Sequence, residues 1–175
     1  FGRIGSRVAR VAGAFGMQVL ACDSQPEKQE EIRAAGFVLE EDLVKIFRRS
    51  RFISIHVPAD ETTANLVGKR QLAAADGLHL VNTARGEVVD ENAVVQALRD
   101  GRLSSYFGDV ARFESGHHEL RNSPLWLGFN EGLRIRMTPH LGGASRDAQT
   151  ETEHIIGAMI LEFWNTEPRI PAQRP

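Results

Sequence analysis

The 175-residue chain is 42% hydrophobic and 25% charged with a formal net charge of −2, the balance of an ordinary globular protein. So mild a charge gives no electrostatic case for nucleic acid or an anionic membrane as partner, and no apolar run approaches the roughly 20 residues that span a bilayer. The single cysteine, Cys22, cannot close an internal disulfide, which points to a reducing cytoplasm.

Helix and strand patterns alternate almost from the first residue. Residues 6–15 read as a helix with Val8, Val11 and Ala12 on its apolar face and Gly16 as its stop. Residues 18–22 form a short strand ending at Asp23, and 27–35 a polar helix ended by Gly36. A short strand follows at 37–39, then a helix over 42–48 with Leu43, Ile46 and Phe47 inward. Residues 51–57 give the next strand, terminated by Pro58. A short helix over 68–75 leads to a strand at 78–81. The clearest helix covers 90–100, with Asp90 as cap, Ala93, Val94, Ala97 and Leu98 as apolar stripe, and Gly101 beyond. Residues 104–109 return to a strand, and 112–133 read as a long loop rich in Gly, His, Asn and Pro. A last strand at 135–138 precedes a long helix over 144–166, with Ile155, Ile156, Met159, Ile160 and Phe163 on the side expected to be buried. Strict alternation predicts an α/β fold with a doubly wound parallel sheet. The domain is expected over 1–167, with 168–175 as a tail.

Two features suggest chemistry. The opening Phe1-Gly2-Arg3-Ile4-Gly5-Ser6 matches the later part of a G-x-G-x-x-G turn, in which one glycine admits a pyrophosphate and the next lets the helix pack closely. The helix N-terminus supplies N–H groups and positive dipole to phosphates. About 20 residues on, such turns expect an acid for the ribose hydroxyls, and Asp23 stands there. With no Arg at Ser24 or Gln25, NAD is favoured over NADP. The second feature is an ordered trio at strand ends, Arg85, Glu114 and His140. Ligands of open α/β sheets sit outside those ends. A fixed cation, a carboxylate and an imidazole there suit proton transfer at a polarised carbonyl.

Residues 81–91, VNTARGEVVDE, make a resemblance specific. The chain resembles the nucleotide-binding domain of the D-isomer-specific 2-hydroxyacid dehydrogenases, also through Phe1 to Val8, His56-Val57-Pro58, Gly108-Asp109-Val110, Ser123-Pro124-Leu125-Trp126 and residues 138–144, TPHLGGA. The resemblance implies a Rossmann-like fold and NAD as cofactor. It implies that Arg85 grips the substrate's carboxylate and carbonyl oxygen, that His140 is the general acid/base, and that Glu114 orients the imidazole. It sets Gly2, Arg3, Ile4 and Gly5 at the pyrophosphate, Asp23 at the ribose, and Val57 and Pro58 near the adenosine. Thr83, Ala84, Asp109 and Gly143 fall around the nicotinamide end, with Arg85 and His140. A small 2-oxo or 2-hydroxy acid is the implied substrate, and a homodimer the implied assembly. No metal site is expected, and His117 and His118 read as surface loop.

The chain departs from the family pattern at Ser115, where proline is usual, and at Ala111-Arg112-Phe113, where an aromatic-acid run is usual. The stretch between Trp126 and Thr138 is a few residues longer. Glu114 argues against formate oxidation, because the family's formate dehydrogenases carry Gln there. Phosphite oxidation and an NAD-sensing corepressor role stay open as alternatives. Phe1 is an unnatural start, so the first strand of the sheet and an N-terminal substrate domain are expected upstream. The piece alone is expected to be unstable or inactive.

Overall fold

The computed structural model describes residues 1–112 and 120–166. Among the described residues six strands and seven α-helices follow one another, and every strand pair is parallel. The glycines expected to stop helices do so. Gly16, Gly36 and Gly101 have φ of +80°, +78° and +73°, values that side chains with a Cβ rarely adopt.

Helix α1 (Arg3–Ala14) starts three residues earlier than the pattern suggests, because Arg3, Ile4 and Gly5 already form its first turn behind Gly2. Its apolar positions are not covered. Val8 and Val11 are 40% and 56% exposed, and Ala9 alone is fully buried, so the expected inward face is corrected. Strand β1 (Leu20–Ala21) and β2 (Val38–Leu39) flank α2 (Pro26–Ala34) and pair with each other. Helix α3 (Leu43–Arg49) is capped by Asp42, whose carboxylate accepts the Val44 N–H at 2.9 Å, and it buries Ile46 and Phe47 as expected.

A separate four-stranded sheet runs in the order β3 (Phe52–Ile55), β4 (Leu78–Asn82), β5 (Leu103–Gly108), β6 (Ile135–Met137). Among the described residues, β1 and β3 each have a strand partner along one edge only. The connections run through α4 (Lys69–Leu72), α5 (Glu91–Arg99) and α6 (Pro124–Asn130), all stepping the same way across the sheet. Right-handed crossovers therefore put these three helices on one face, where each packs on the next. Ile53, Leu80, Tyr106 and Ile135 share a row on that face, and the last three are essentially without solvent contact. Leu72, Val94, Ala97, Leu98 and Leu125 close over them. On the opposite face Phe52 stacks on His79 at 4.9 Å, and His79 Nδ1 lies 2.7 Å from the Ser105 hydroxyl.

Helix α6 corrects the reading of 112–133 as a loop. Ser123 caps it through the Trp126 N–H at 3.2 Å, and Pro124 at its first position is preorganised for a helix. Gly128 lets α6 pack tightly there. A Cβ would come within 3.2 Å of Val95 on α5 and 3.0 Å of Ile135 on β6.

The chain divides into two compact units, Phe1–Pro139 and His140–Pro175. In the second, α7 (Arg146–Thr166) is helical as expected, but its apolar stripe is not buried. Ile155, Ile156, Met159, Ile160 and Phe163 are each at least half exposed. Periodicity marks which side of a helix is apolar, and the presence of a covering partner is a separate matter.

Candidate functional site

Parallel strands deliver their carboxyl ends to one edge of a sheet, and in the first unit four segments carrying expected site residues, and Thr138, follow strands. Asp23 follows β1, His56-Val57-Pro58 follow β3, Thr83-Ala84-Arg85 follow β4, Asp109 follows β5, and Thr138 follows β6.

At the nucleotide side, the first intrahelical bond of α1 runs from the Ser6 N–H to the Gly2 carbonyl at 3.0 Å. The N–H groups of Arg3, Ile4 and Gly5 thus have no acceptor within the helix. Among the described residues, its own chain neighbours aside, nothing lies within 4 Å of where a Cβ on Gly2 would stand, which leaves space there for close approach. Gly5 faces His56, and an added Cβ would sit 3.4 Å from the His56 Cβ, an ordinary contact. Asp23 accepts the Gln25 N–H at 2.9 Å. Burial works against its ionisation, and the Gln25 hydrogen bond opposes that. One of roughly four acceptor positions on that carboxylate is thereby used, which leaves room for ribose hydroxyls. Burial lowers the His56 pKa, and His56 Nε2 lies 2.9 Å from the Ser54 hydroxyl. An open glycine turn, a helix N-terminus and an ionised acid after β1 fit a dinucleotide.

The Arg85 turn is held by a residue that pattern reading passed over. Asn82, at 0% exposure, accepts the Ala84 N–H at 3.0 Å and donates to the Arg85 carbonyl at 2.9 Å. Burial pushes the pKa of the nearby Tyr106 hydroxyl far up, with Asn82 opposing. The sequence signal was a polar residue closing an apolar strand. Arg85 itself is exposed, with Nη1 donating to the Ala84 carbonyl at 2.7 Å. Most of the guanidinium's five N–H donors remain for an anion. The ends of β4, β5 and β6 are then cross-linked. The Asp109 N–H donates to the Asn82 carbonyl at 3.0 Å, the Thr138 N–H donates to the Gly108 carbonyl at 2.9 Å, and the Thr138 hydroxyl donates to the buried Asp109 carboxylate.

Just beyond Arg85 lies a second buried polar cluster that the sequence did not suggest. Glu91, 4% exposed, accepts the Arg112 backbone N–H at 2.9 Å. Burial is the main influence on Glu91 and raises its pKa, with the Arg112 hydrogen bond and charge opposing. A carboxyl with a raised pKa in the folded state keeps its proton where the unfolded chain has lost it. Stability therefore falls as pH climbs through the interval above the ordinary carboxylate value. Glu91→Gln carries no such charge. Its Tm relative to the parent is expected to rise across that interval, and a pH-independent difference would show that Glu91 ionises in the folded protein without penalty.

His140 opens the second unit with φ +53°, a left-handed conformation in which His is one of the few tolerated residues. Gly143 follows in a turn. Glu114 and the two loop histidines, His117 and His118, lie outside the described residues, as does the tail over 168–175. Among the described residues no cluster of three or more His, Cys, Asp or Glu could hold a metal ion, and no helix is long and apolar enough to cross a membrane. Cys22 is half-buried just after β1 rather than inside it.

A parallel α/β sheet whose glycine turn opens a helix and whose neighbouring strand ends in an acid defines a dinucleotide-binding domain. The chain belongs to the D-isomer specific 2-hydroxyacid dehydrogenases, matching their NAD binding domain over residues 1–142. It is 37% identical over 163 residues to a hydroxypyruvate reductase of Thermotoga maritima, covering 93% of this chain and 49% of that protein. A glyoxylate reductase of Thermococcus litoralis is 32% identical over 170 residues, covering 93% and 46%. Among solved structures, a D-lactate dehydrogenase from Aquifex aeolicus, complexed with NAD and lactic acid, superposes with a TM-score of 0.75 at 30% identity, over 92% of this chain and 51% of that one. The chain spans about half the length of the curated relatives it matches.

Proposed function

We propose that the protein containing this chain reduces a small 2-oxo acid to a D-2-hydroxy acid with NADH, and runs the reverse reaction with NAD. The single observation that carries this reading is the Arg85 turn. A buried asparagine fixes the backbone so that an exposed, permanently charged guanidinium stands at the carboxyl end of β4. The planar fork of Arg85 matches two nearly coplanar oxygens of a 2-oxo acid, one from the carboxylate and one from the carbonyl. Its charge draws electron density toward the carbonyl oxygen and leaves the carbonyl carbon more electrophilic. His140 gives a proton to that oxygen in reduction and takes it back in oxidation, and Glu114 orients the ring. The cofactor, when bound, supplies or accepts the hydride. Gly2, Arg3, Ile4 and Gly5 would hold its phosphates, Asp23 its adenosine ribose, and Val57 and Pro58 its adenosine side. Thr83, Ala84, Asp109 and Gly143 would line the nicotinamide end.

Support for the substrate class comes from the relatives, which are hydroxypyruvate and glyoxylate reductases by name. A cytoplasmic location rests on the lone Cys22, and a homodimer on the family resemblance. The nucleotide-binding domain is taken to cover 1–167.

Arg85→Ala removes a charge-assisted pair and is expected to cost about 3 kcal/mol of acid binding, roughly a 10²-fold rise in KM. Arg85→Lys keeps charge without the fork and should recover only part of it. Steady-state kinetics with a saturating cofactor reads this. A KM unmoved by either substitution would remove Arg85 from the substrate site.

A further inference from the structure

Arg112 joins three segments of the first unit. Its backbone N–H donates to Glu91, the first residue of α5. Its Nη2 donates to the Glu87 and Val89 carbonyls, each at 3.2 Å, and to the Asn65 side chain. Asn65 in turn donates its N–H to the Glu87 carbonyl at 2.9 Å from a left-handed backbone of φ +52°. Val67 reaches the same stretch, donating to the Val88 carbonyl at 3.1 Å and accepting the Asp90 N–H at 3.0 Å. Residues 86–90, directly after Arg85, are thus clamped from both sides.

The peptide between Ala111 and Arg112 also presses on Gly86. A Cβ there would stand 2.2 Å from the Ala111 carbonyl carbon and 2.3 Å from the Arg112 nitrogen. Glu91 Oε2 and Arg112 Nε are buried with no hydrogen-bond partner among the described residues. A cluster that leaves two such atoms unpaired is a costly way to hold a loop, since each carries a desolvation penalty. Such a cost persists where the surroundings over-determine it, and those surroundings adjoin functional positions.

We propose that Arg112, seated on Glu91, is a positioning residue for Arg85. It touches no substrate. It fixes the backbone of residues 86–90 from the far side, as Asn82 fixes residues 82–85 from the near side, so that the guanidinium of Arg85 holds one direction. The inference rests on the proposed role of Arg85. It adds a determinant of substrate binding at a position where the chain departs from its family's usual acid.

The test is a double-mutant cycle in the protein expressed from its complete gene, with hydroxypyruvate as the probe substrate. Arg112→Met keeps the length and apolar stem of the side chain and removes its donors. It is expected to raise the hydroxypyruvate KM about tenfold or more, as a small misplacement of a binding group does, with NADH Kd by fluorescence within about twofold of the parent. In an Arg85→Ala background the same substitution is expected to change KM by less than about twofold, because the group it positions is gone. Equal losses in both backgrounds, or NADH affinity falling as far as acid affinity, would show a general structural role and overturn the proposal. Should Arg112→Met not fold, Arg112→Gln, which loses the guanidinium fork but keeps one amide donor group, carries the same cycle with a smaller expected rise in KM and the same comparison between the two backgrounds. A parent with no turnover on any 2-oxo acid would overturn the proposed function and this inference together. An active parent indifferent to Arg112 would overturn the inference alone.

Discussion

His140→Asn is expected to lower kcat for 2-oxo acid reduction by about 10² to 10⁴-fold, the range that a positioned general acid supplies. Asparagine is chosen over alanine because residue 140 has φ +53°. Asn tolerates that left-handed backbone, whereas Ala would add strain to the loss of the imidazole. NADH Kd is measured in parallel, which separates a loss of proton transfer from a loss at the nicotinamide end, where the resemblance also sets His140. A variant that keeps more than about a tenth of the parent kcat would mean that the proton comes from elsewhere. The proposed reaction could then survive, but not with His140 as its acid.

Gly86→Ala carries the second large effect, on stability. All three close neighbours of the added Cβ are backbone atoms of Ala111 and Arg112, the nearest at 2.2 Å. No rotamer change can relieve such a contact. Either the Arg85 turn or the chain leaving β5 must move. Overpacking in a well-packed region costs about 1–3 kcal/mol, and a clash with backbone on this scale belongs at or above the top of that range. Urea denaturation is expected to show a loss of about 3 kcal/mol, with whatever folds having a raised KM for the acid. A loss under about 1 kcal/mol would show that the two segments part easily and that the clamp around residues 86–90 is soft.

The same residues show how much of the molecule was legible beforehand. Helix α5 could be read almost residue by residue, because Asp90, the Ala93–Val94–Ala97–Leu98 stripe and Gly101 are all local signals that agree. The parallel topology was legible from alternation alone. Helix α6 is hard to read from sequence because a seven-residue helix holding Gly128 and ending at Asn130 has the composition of a loop, and its Ser123-Pro124 start is the one local signal for it. The inward faces assigned to α1 and α7 failed for another reason. Val11 and Ile160 sit where periodicity puts apolar residues, yet both are more than half exposed, since burial depends on what lies opposite.

At the site, Asp23, Arg85 and Asp109 were legible as residues at strand ends, where chemistry collects in this architecture, and the glycine turn as the start of a helix. Their supports were not. Asn82 acts through both ends of its amide on atoms two and three residues away, a geometry that exists only once the strand has ended. Glu91 and Arg112 are 21 residues apart, on a helix and beyond a strand, and only the fold brings them together. Arg112 departs from the family pattern in sequence, and the structure shows what that departure contacts.

The most direct test of the account is NADH consumption at 340 nm by the protein from its complete gene across a panel of small 2-oxo acids, with NADH binding followed in parallel. The account predicts saturable oxidation of NADH with at least one such acid and formation of the D-hydroxy acid. Tight NADH binding with no turnover on any 2-oxo acid would contradict it, and would leave a domain that binds the cofactor for some purpose other than this reaction.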